Sequence, residues 1–274
     1  MSVFLNGKFV PEDRAMVSVF DRGFLYGDAL FEGVLVTRGQ PFRWTEHMER
    51  LQRGVEFLKL TVPYSYDALR QYALRLIVRN QMPECLLRLS ITRGITARGY
   101  SPQNATQPAV VMTLHALQAL DGKSAPRWRV ITSSFRLPSH DPLANFKTAN
   151  KLIQVLARAE ADAVQAQEAI LLNTEGQLAE GTTSNLFWIT KDAICTPPLA
   201  AGALPGVTRA VMMELFPCRE RAAGLDELRR ADGAFLTMTS MGVVEIESLD
   251  GRKLKRSSLV KKIGAAYRDL QRAS

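Results

Sequence analysis

The chain alternates short apolar runs of period two with longer stretches of helical period. "SVFLNGKFV" is apolar and alternating around Asn6-Gly7 and predicts a β-hairpin. "ALFEGVLVTRGQPFRW" predicts a strand, a turn at Arg38-Gly39-Gln40 and a short returning strand. In "TEHMERLQRGVEFLKL" the period lengthens, with Met48, Leu51, Val55 and Leu58 on one stripe of a helix that Thr45 would cap. A second helix is predicted from Tyr66 to Asn80, then strands at "CLLRLSIT" and "AVVMTLH" around the polar loop "RGITARGYSPQNATQP". Beyond "LQALDGKSAPR", where Gly, Pro, Ser and charge break the pattern, a strand is predicted near 128–134. A helix follows from about 147 to 163, with Leu152, Val155, Leu156 and Ala159 as its apolar stripe, then a strand at "EAILLN". A turn at "TEGQ", a strand at "TSNLFWIT", a helix after Gly206, strands at "GAFLTMTS" and "GVVEIES" and a closing helix complete the chain. The sum is an α+β fold in two parts: a small N-terminal domain at 1–118, a linker at 119–127 and a larger domain at 128–274.

Hydrophobic residues make up 46% of 274, enough for a substantial core and against global disorder. The net charge of +8 raises the question of anionic partners, but Lys and Arg alternate with acids along most of the chain, so no nucleic-acid partner is expected. The densest basic stretch, "GRKLKRSSLVKK", reads as a solvated loop and the polar face of the last helix. Cys85, Cys195 and Cys218 are far apart and form no C-x-x-C; no disulfide framework or metal site is expected, and a reducing cytoplasm fits. "MSVFLNGKFVPED" lacks the charged and apolar regions of a signal peptide. No apolar run approaches the roughly 20 residues that span a bilayer, so no membrane partner is expected.

Several stretches carry candidate chemistry. In "HDPLANFKTANKLIQVLARAEA" Lys147 and Lys151 lie at the entrance of the predicted helix, where backbone dipoles lower the pKa of an ammonium, as a Schiff-base lysine requires. A single lysine is far more often a surface charge. In "LAEGTTSNLFW" Glu180 is a carboxylate suited to pair with a protonated pyridine nitrogen, or else an exposed turn acid. "ALPGVTRAVMMEL" opens a helix at Pro205-Gly206-Val207-Thr208, where unpaired N–H groups and the Thr208 hydroxyl make an anion seat. "FLTMTS" ends a strand in the hydroxyls Thr237, Thr239 and Ser240, also in reach of a phosphate. "TRGITARGY" sets Arg93, Arg98 and Tyr100 on a loop suited to carboxylate binding, or simply a solvated loop.

Taken together, "FDRGFLYGDALFEG", "EHMERL", "RGITARGY", "KTANKLIQVLARAEA", "EGTTSNLFW", "ALPGVTR" and "FLTMTS", in this order, resemble the pyridoxal-phosphate enzymes of fold type IV. That family holds branched-chain and D-amino-acid aminotransferases and 4-amino-4-deoxychorismate lyase. The resemblance implies a two-domain enzyme with a smaller N-terminal α/β domain and a larger C-terminal domain with a barrel-like β core and flanking helices. It implies pyridoxal 5′-phosphate as cofactor and a homodimer. By resemblance Lys147, the first lysine of "KTANKLIQVL", forms the Schiff base and Glu180 contacts the pyridine nitrogen. Arg50 of "EHMERL" holds the cofactor phosphate, with the backbone of Val207 and Thr208, the Thr239 hydroxyl and Ser240 beside it.

The reaction divides two ways. A transaminase passes an amino group from an amino acid to a 2-oxo acid, with the freed lysine as general base. The lyase releases 4-aminobenzoate and pyruvate from aminodeoxychorismate. "RGITARGY" and "NLFW" resemble the lyase, while Arg98 also matches the carboxylate-binding arginine of D-amino-acid aminotransferases. Lyases carry a threonine where this chain has Gly33, and "FEG" resembles branched-chain aminotransferases, which favour an arginine where Leu35 stands. The missing hydroxyl favours an aminotransferase, and Arg98 without the branched-chain arginine tilts it toward the D-amino-acid type, with Arg98, Tyr100, Tyr26 and Phe31 as substrate-binding residues. The lyase is the alternative, and a catalytically silent binding protein on the same fold a third reading.

Overall fold

The computed structural model describes residues 1–117, 126–191 and 193–273. The chain divides into two compact units, Met1–Gln118 with Phe146–Asn150, and Ala119–Asn145 with Lys151–Ser274. Residues 119–125 of the expected linker lie outside the described residues; Arg127 already belongs to a strand.

The first unit contains β1 (Ser2–Leu5), β2 (Lys8–Pro11), α1 (Arg22–Tyr26), β3 (Ala29–Thr37), β4 (Gln40–Pro41), α2 (Trp44–Leu58), α3 (Tyr66–Asn80), β5 (Cys85–Thr92) and β6 (Val110–His115). Its sheet runs β2-β1-β6-β5-β3-β4, antiparallel throughout. Two hairpins turn on residue pairs with positive φ, Asn6-Gly7 (47° and 84°) and Arg38-Gly39 (51° and 76°). Such pairs match the right-handed twist of the strands they join. One face of the sheet packs on α2 and α3, around Phe4, Leu30, Leu51, Leu69, Leu76, Leu87 and Met112. The stripe expected on α2 is observed: Met48 and Leu51 are buried, and Val55 and Leu58 pack against the core. Thr45 does not cap that helix. The helix begins one residue earlier, after Arg43 in the left-handed region, and Arg43 pairs with Glu46 at 2.6 Å across the first turn.

The second unit contains β7 (Arg127–Leu137), α4 (Leu152–Ala163), β8 (Glu168–Asn173), β9 (Leu178–Gly181), β10 (Asn185–Thr190), β11 (Ala193–Thr196), α5 (Val207–Leu215), β12 (Cys218–Glu220), α6 (Leu225–Arg230), β13 (Gly233–Met238), β14 (Gly242–Leu249), β15 (Arg252–Lys253) and α7 (Ser258–Ala273). Strands β10, β13, β14, β7, β8 and β9 pair in that order, and β9 returns to β10 through Glu180 and Asn185. The ring is therefore closed, the barrel-like core expected from the resemblance. Val130, Ile170, Leu178, Leu186, Trp188, Leu236, Val244 and Ile246 pack together as its filling.

Two expectations around the lysines fail. The helix does not start at 147 but at Leu152, with Lys151 at its cap position, so the positive end of α4 falls on Lys151 and not on Lys147. Residues 147–149 instead pair with β3: Phe31 N–H donates to Lys147 O at 2.9 Å, Ala149 N–H donates to Ala29 O at 2.9 Å, and Leu30 bridges Thr148. An open strand edge outcompetes the local helical pattern. The apolar stripe of α4 is also reversed. Ala157 and Ala161 are buried, whereas Leu152, Val155 and Leu156 are exposed, so the small residues make the close approach to the sheet.

Candidate active site

In the first unit the chemistry gathers on the two faces of β3. Leu30, Glu32, Val34 and Val36 point inward by the strand's period of two, and Phe31 and Gly33 point to the other face. An acid facing a core must be paired. Arg50 donates to Glu32 through Nε at 2.8 Å and Nη2 at 2.6 Å, and His47 Nδ1 lies 2.7 Å from the same carboxylate. His47 and Arg50 stand three apart on α2, hence on one side of it. Burial pushes the Glu32 carboxyl up most strongly, but Arg50 and His47 together outweigh it and hold it at about 2. At His47 burial is the largest effect; with Arg50 and Lys147 nearby it lowers the imidazole pKa in spite of Glu32. The ring is thus neutral at neutral pH. Ionised Glu32 only accepts, so the ring proton sits on Nδ1 and Nε2 is the bare nitrogen.

On the opposite face Phe31 lies against two cations. The Arg88 guanidinium stands 3.9 Å and the Lys147 ammonium 4.6 Å from its ring centroid. Lys147 is delivered there by the 147–149 pairing with β3 and by Phe146, which stacks on Phe57 at 4.4 Å. Gly33 pairs with Arg88 across the strands, and a side chain added at Gly33 would meet only Leu86, at 4.0 Å.

In the second unit Glu180, Asn185 and Thr237 are successive cross-strand partners and form one row across β9, β10 and β13. Leu186 and Leu236 fill the barrel, so Asn185 and Thr237 alternate to its outside. Glu180 accepts from Leu204 N–H at 2.8 Å, and the Asn185 amide donates to Leu204 O at 2.8 Å. These two bonds pin the Leu-Pro-Gly segment that opens α5. A side chain at Gly206 would start 2.0 Å from Asn185 Oδ1, so the Asn185 amide would have to shift to admit one. No side chain caps α5, and the buried Val207 and Thr208 stand at its first turn. The neighbouring strand β13 brings the buried Thr237 hydroxyl, which has no hydrogen-bond partner among the described residues. An uncapped helix start beside an orphaned buried hydroxyl is costly unless an anion meets both, and it fits a phosphate group. Thr239 is partly buried and Ser240 exposed, both in the turn after β13.

The row owes its shape to Glu168, wholly buried at the start of β8. Its carboxylate accepts from the N–H groups of Ala169 (2.9 Å), Thr182 (3.0 Å) and Thr183 (3.3 Å), and from the hydroxyls of Thr182, Thr183 and Ser184. That fixes the turn between Glu180 and Asn185. Glu168→Ala is expected to orphan several buried donors and to lower stability by about 3 kcal/mol, read as a lower urea midpoint.

Of the expected site residues, the structure brings Lys147 to Phe31, and Tyr26 to Tyr100 with rings 5.4 Å apart. Arg98 and Tyr100 are exposed on the β5–β6 loop. Arg93 is occupied structurally, donating to Asp28 at 2.6 Å and to Leu58 O at 2.9 Å. Glu32, His47, Arg88, Glu168 and Asn185 were not anticipated. The inward position of Glu32 in "LFEGVLV" and the outward one of Arg88 in "LLRLS" are visible as strand periodicity.

The family model for amino-transferase class IV matches residues 29–249. The chain is 32% identical to a putative branched-chain-amino-acid aminotransferase of Methanocaldococcus jannaschii, covering 99% of this chain and 96% of that protein. It is 30% identical to D-alanine aminotransferase of Staphylococcus aureus, covering 98% and 95%. To aminodeoxychorismate lyase of Bacillus subtilis it is 29% identical, covering 90% and 86%. Among solved structures, the branched-chain amino acid aminotransferase of Escherichia coli superposes with a TM-score of 0.91 at 27% identity, covering 98% of this chain and 94% of that one. A T.th. branched-chain amino acid aminotransferase with pyridoxamine 5′-phosphate superposes with a TM-score of 0.89 at 26% identity, covering 98% and 93%. With a closed barrel carrying the Glu180 row and a lysine seated on β3, the chain belongs to the class IV aminotransferase family.

Proposed function

We propose that the chain is an aminotransferase that exchanges an amino group between an amino acid and a 2-oxo acid, with Lys147 as its catalytic amine. The observation that carries this is the Lys147 ammonium held over Phe31, beside the Arg88 guanidinium and the bare Gly33. Pyridoxal 5′-phosphate, when bound, supplies an aldehyde for the lysine amine and a ring that delocalises the electron pair left by proton removal. Glu180 would hold the proton of the ring nitrogen, kept in place by Leu204 N–H. The phosphate would be held by Arg50, whose Nε–Nη2 edge is clamped by Glu32, by the N–H groups of Val207 and Thr208, and by the hydroxyls of Thr239, Ser240 and Thr237. Lys147 Nζ moves the α-proton of the substrate.

Arg88 is the guanidinium that shares the Phe31 ring with Lys147, and it would bind a substrate carboxylate from the strand. Arg98 and Tyr100 would meet substrate from the loop, with Tyr26 and Phe31 as walls. Gly33 has room for a side chain and offers no hydroxyl, which supports amino transfer over elimination. A homodimer is supported by the exposed apolar run of Met16, Val19, Phe20, Phe24 and Leu25 in the first unit and of Leu152, Val155 and Leu156 in the second. Free thiols at Cys85, Cys195 and Cys218 support a cytoplasmic enzyme. No helix among the described residues is long and apolar enough to cross a membrane.

The deciding experiment supplies purified protein with D- or L-amino acids and a 2-oxo acid, and separately with aminodeoxychorismate. Amino exchange is the expected result. Rapid release of 4-aminobenzoate with negligible exchange would move the assignment to the lyase.

A further inference from the structure

The loop between β5 and β6 carries Arg98 and Tyr100; the Thr92 hydroxyl ties its two ends, at Gly94 and Ala109, and the Arg22 side chain fastens its tip from outside. Arg22, 5% exposed at the start of α1, donates through Nη1 to Thr96 Oγ1 (3.2 Å), Gly99 O (3.0 Å) and Ser101 O (3.2 Å), and through Nη2 to Tyr100 O (2.9 Å). Its Nε donates to Asp28 at 2.8 Å, and Asp28 also accepts from Arg93 at 2.6 Å. One edge of the guanidinium is thus anchored on a carboxylate, and the rest faces three successive carbonyls. The base of the loop is held from the same place, since Arg22 N–H donates to Gly94 O at 2.8 Å and Asp21 bridges Ile95. Three carbonyls converge on one point only where the chain turns sharply, and Gly99 does so at φ 119°. Tyr26, at the end of α1, lies 5.0 Å from the Arg22 guanidinium and 5.4 Å from the Tyr100 ring.

We propose that Arg22 is a positioning residue that sets the conformation of the 94–106 loop and, through Arg98 and Tyr100, the affinity for a substrate carboxylate. The second half rests on the aminotransferase reading. Lysine cannot take its place. An ammonium offers three donors from a single nitrogen, whereas the planar guanidinium spreads five over a fork that reaches Asp28 and the loop together.

The test compares wild-type holoenzyme with Arg22→Lys, which keeps the charge beside Asp28, and Arg22→Gln. Amide hydrogen exchange over 94–106 should quicken by about tenfold or more in both variants, with β3 and β5 as protected as in the wild type. The same measurement on cofactor-stripped protein should give the same difference. In steady state, KM for the amino acid should rise by roughly tenfold with kcat within about threefold, while kcat/KM for the matching amine without a carboxylate stays unchanged. Unchanged loop protection overturns the proposal. So does a freed loop with unaltered KM, because the loop is then fastened to no purpose in binding. If the wild type exchanges no amino groups, the functional reading has failed, and hydrogen exchange alone then decides whether Arg22 fastens the loop.

Discussion

Lys147→Ala is expected to lower kcat by about ten-thousand-fold while leaving the fold intact. Proton transfer by a positioned base contributes up to about 10⁴-fold, and loss of the covalent anchor adds to that. The fold should survive because the bonds that seat this residue on β3 come from its backbone carbonyl and from the N–H of Ala149, and alanine keeps both. Circular dichroism and melting temperature should therefore match the wild type, which separates lost chemistry from lost structure. Borohydride reduction of the cofactor-loaded wild type followed by peptide mapping should label Lys147. Label on Lys151, the cap position of α4, or full turnover by the alanine variant, would sink the assignment.

The second large effect is on stability. Glu32→Gln removes the charge that satisfies two buried cationic or polar partners, Arg50 and His47. Breaking such a pair from one side costs about 3–5 kcal/mol, because the remaining guanidinium is left buried without its counter-charge. For a chain of this size that corresponds to a fall of roughly 10 °C in Tm. The pH dependence supplies an independent check. The Glu32 carboxyl is held at about 2 against an ordinary 4.5, so its contribution is complete above 4.5 and is lost as pH falls toward 2. The displacement corresponds to roughly 3 kcal/mol. His47, lowered from 6.5, acts in the same sense, its share being lost as pH falls through 6.5. Urea midpoints between pH 7 and pH 3 should thus decline for the wild type. In Glu32→Gln the decline below pH 4.5 should be smaller by the Glu32 share, with Asp28, Glu46 and Glu160 supplying the remainder, and an equal decline in both proteins would count against this account of the Glu32 cluster.

Where the hydrophobic period was strong, the sequence was sufficient. The helix at Tyr66–Asn80 and the strand Cys85–Thr92 have the predicted limits because each packs one regular face, and Glu168–Asn173 does so as a short apolar run buried on both faces. The pattern misled where a tertiary partner outbid it. Residues 147–149 carry helix-compatible side chains, yet the unpaired edge of β3 takes them as an extended segment. The stripe Leu152, Val155 and Leu156 is helical as expected, but alanines 157 and 161 make the closer contact. The short strand β9 was missed because Leu-Ala-Glu-Gly has too few positions to show a period.

Site residues divided in the same way. Lys147, Glu180 and Arg50 are proposed from motif resemblance alone, while the buried pairing of Glu32 had a visible signal in an acid at an inward strand position. Glu168 was not legible, since the donors around it come mainly from a turn that begins 14 residues later. No local pattern announces such a partner.

The division of the chain carries one last consequence. Residues 146–150 cluster with the first unit although both flanking stretches belong to the second. An N-terminal fragment ending near 117 would therefore lack the short strip that covers Leu30 and Phe31, and would present a raw, adhesive border to its neighbours. The N-terminal half is therefore not a contiguous stretch of chain: a version of it made alone must carry residues 146–150 as well to keep that border closed.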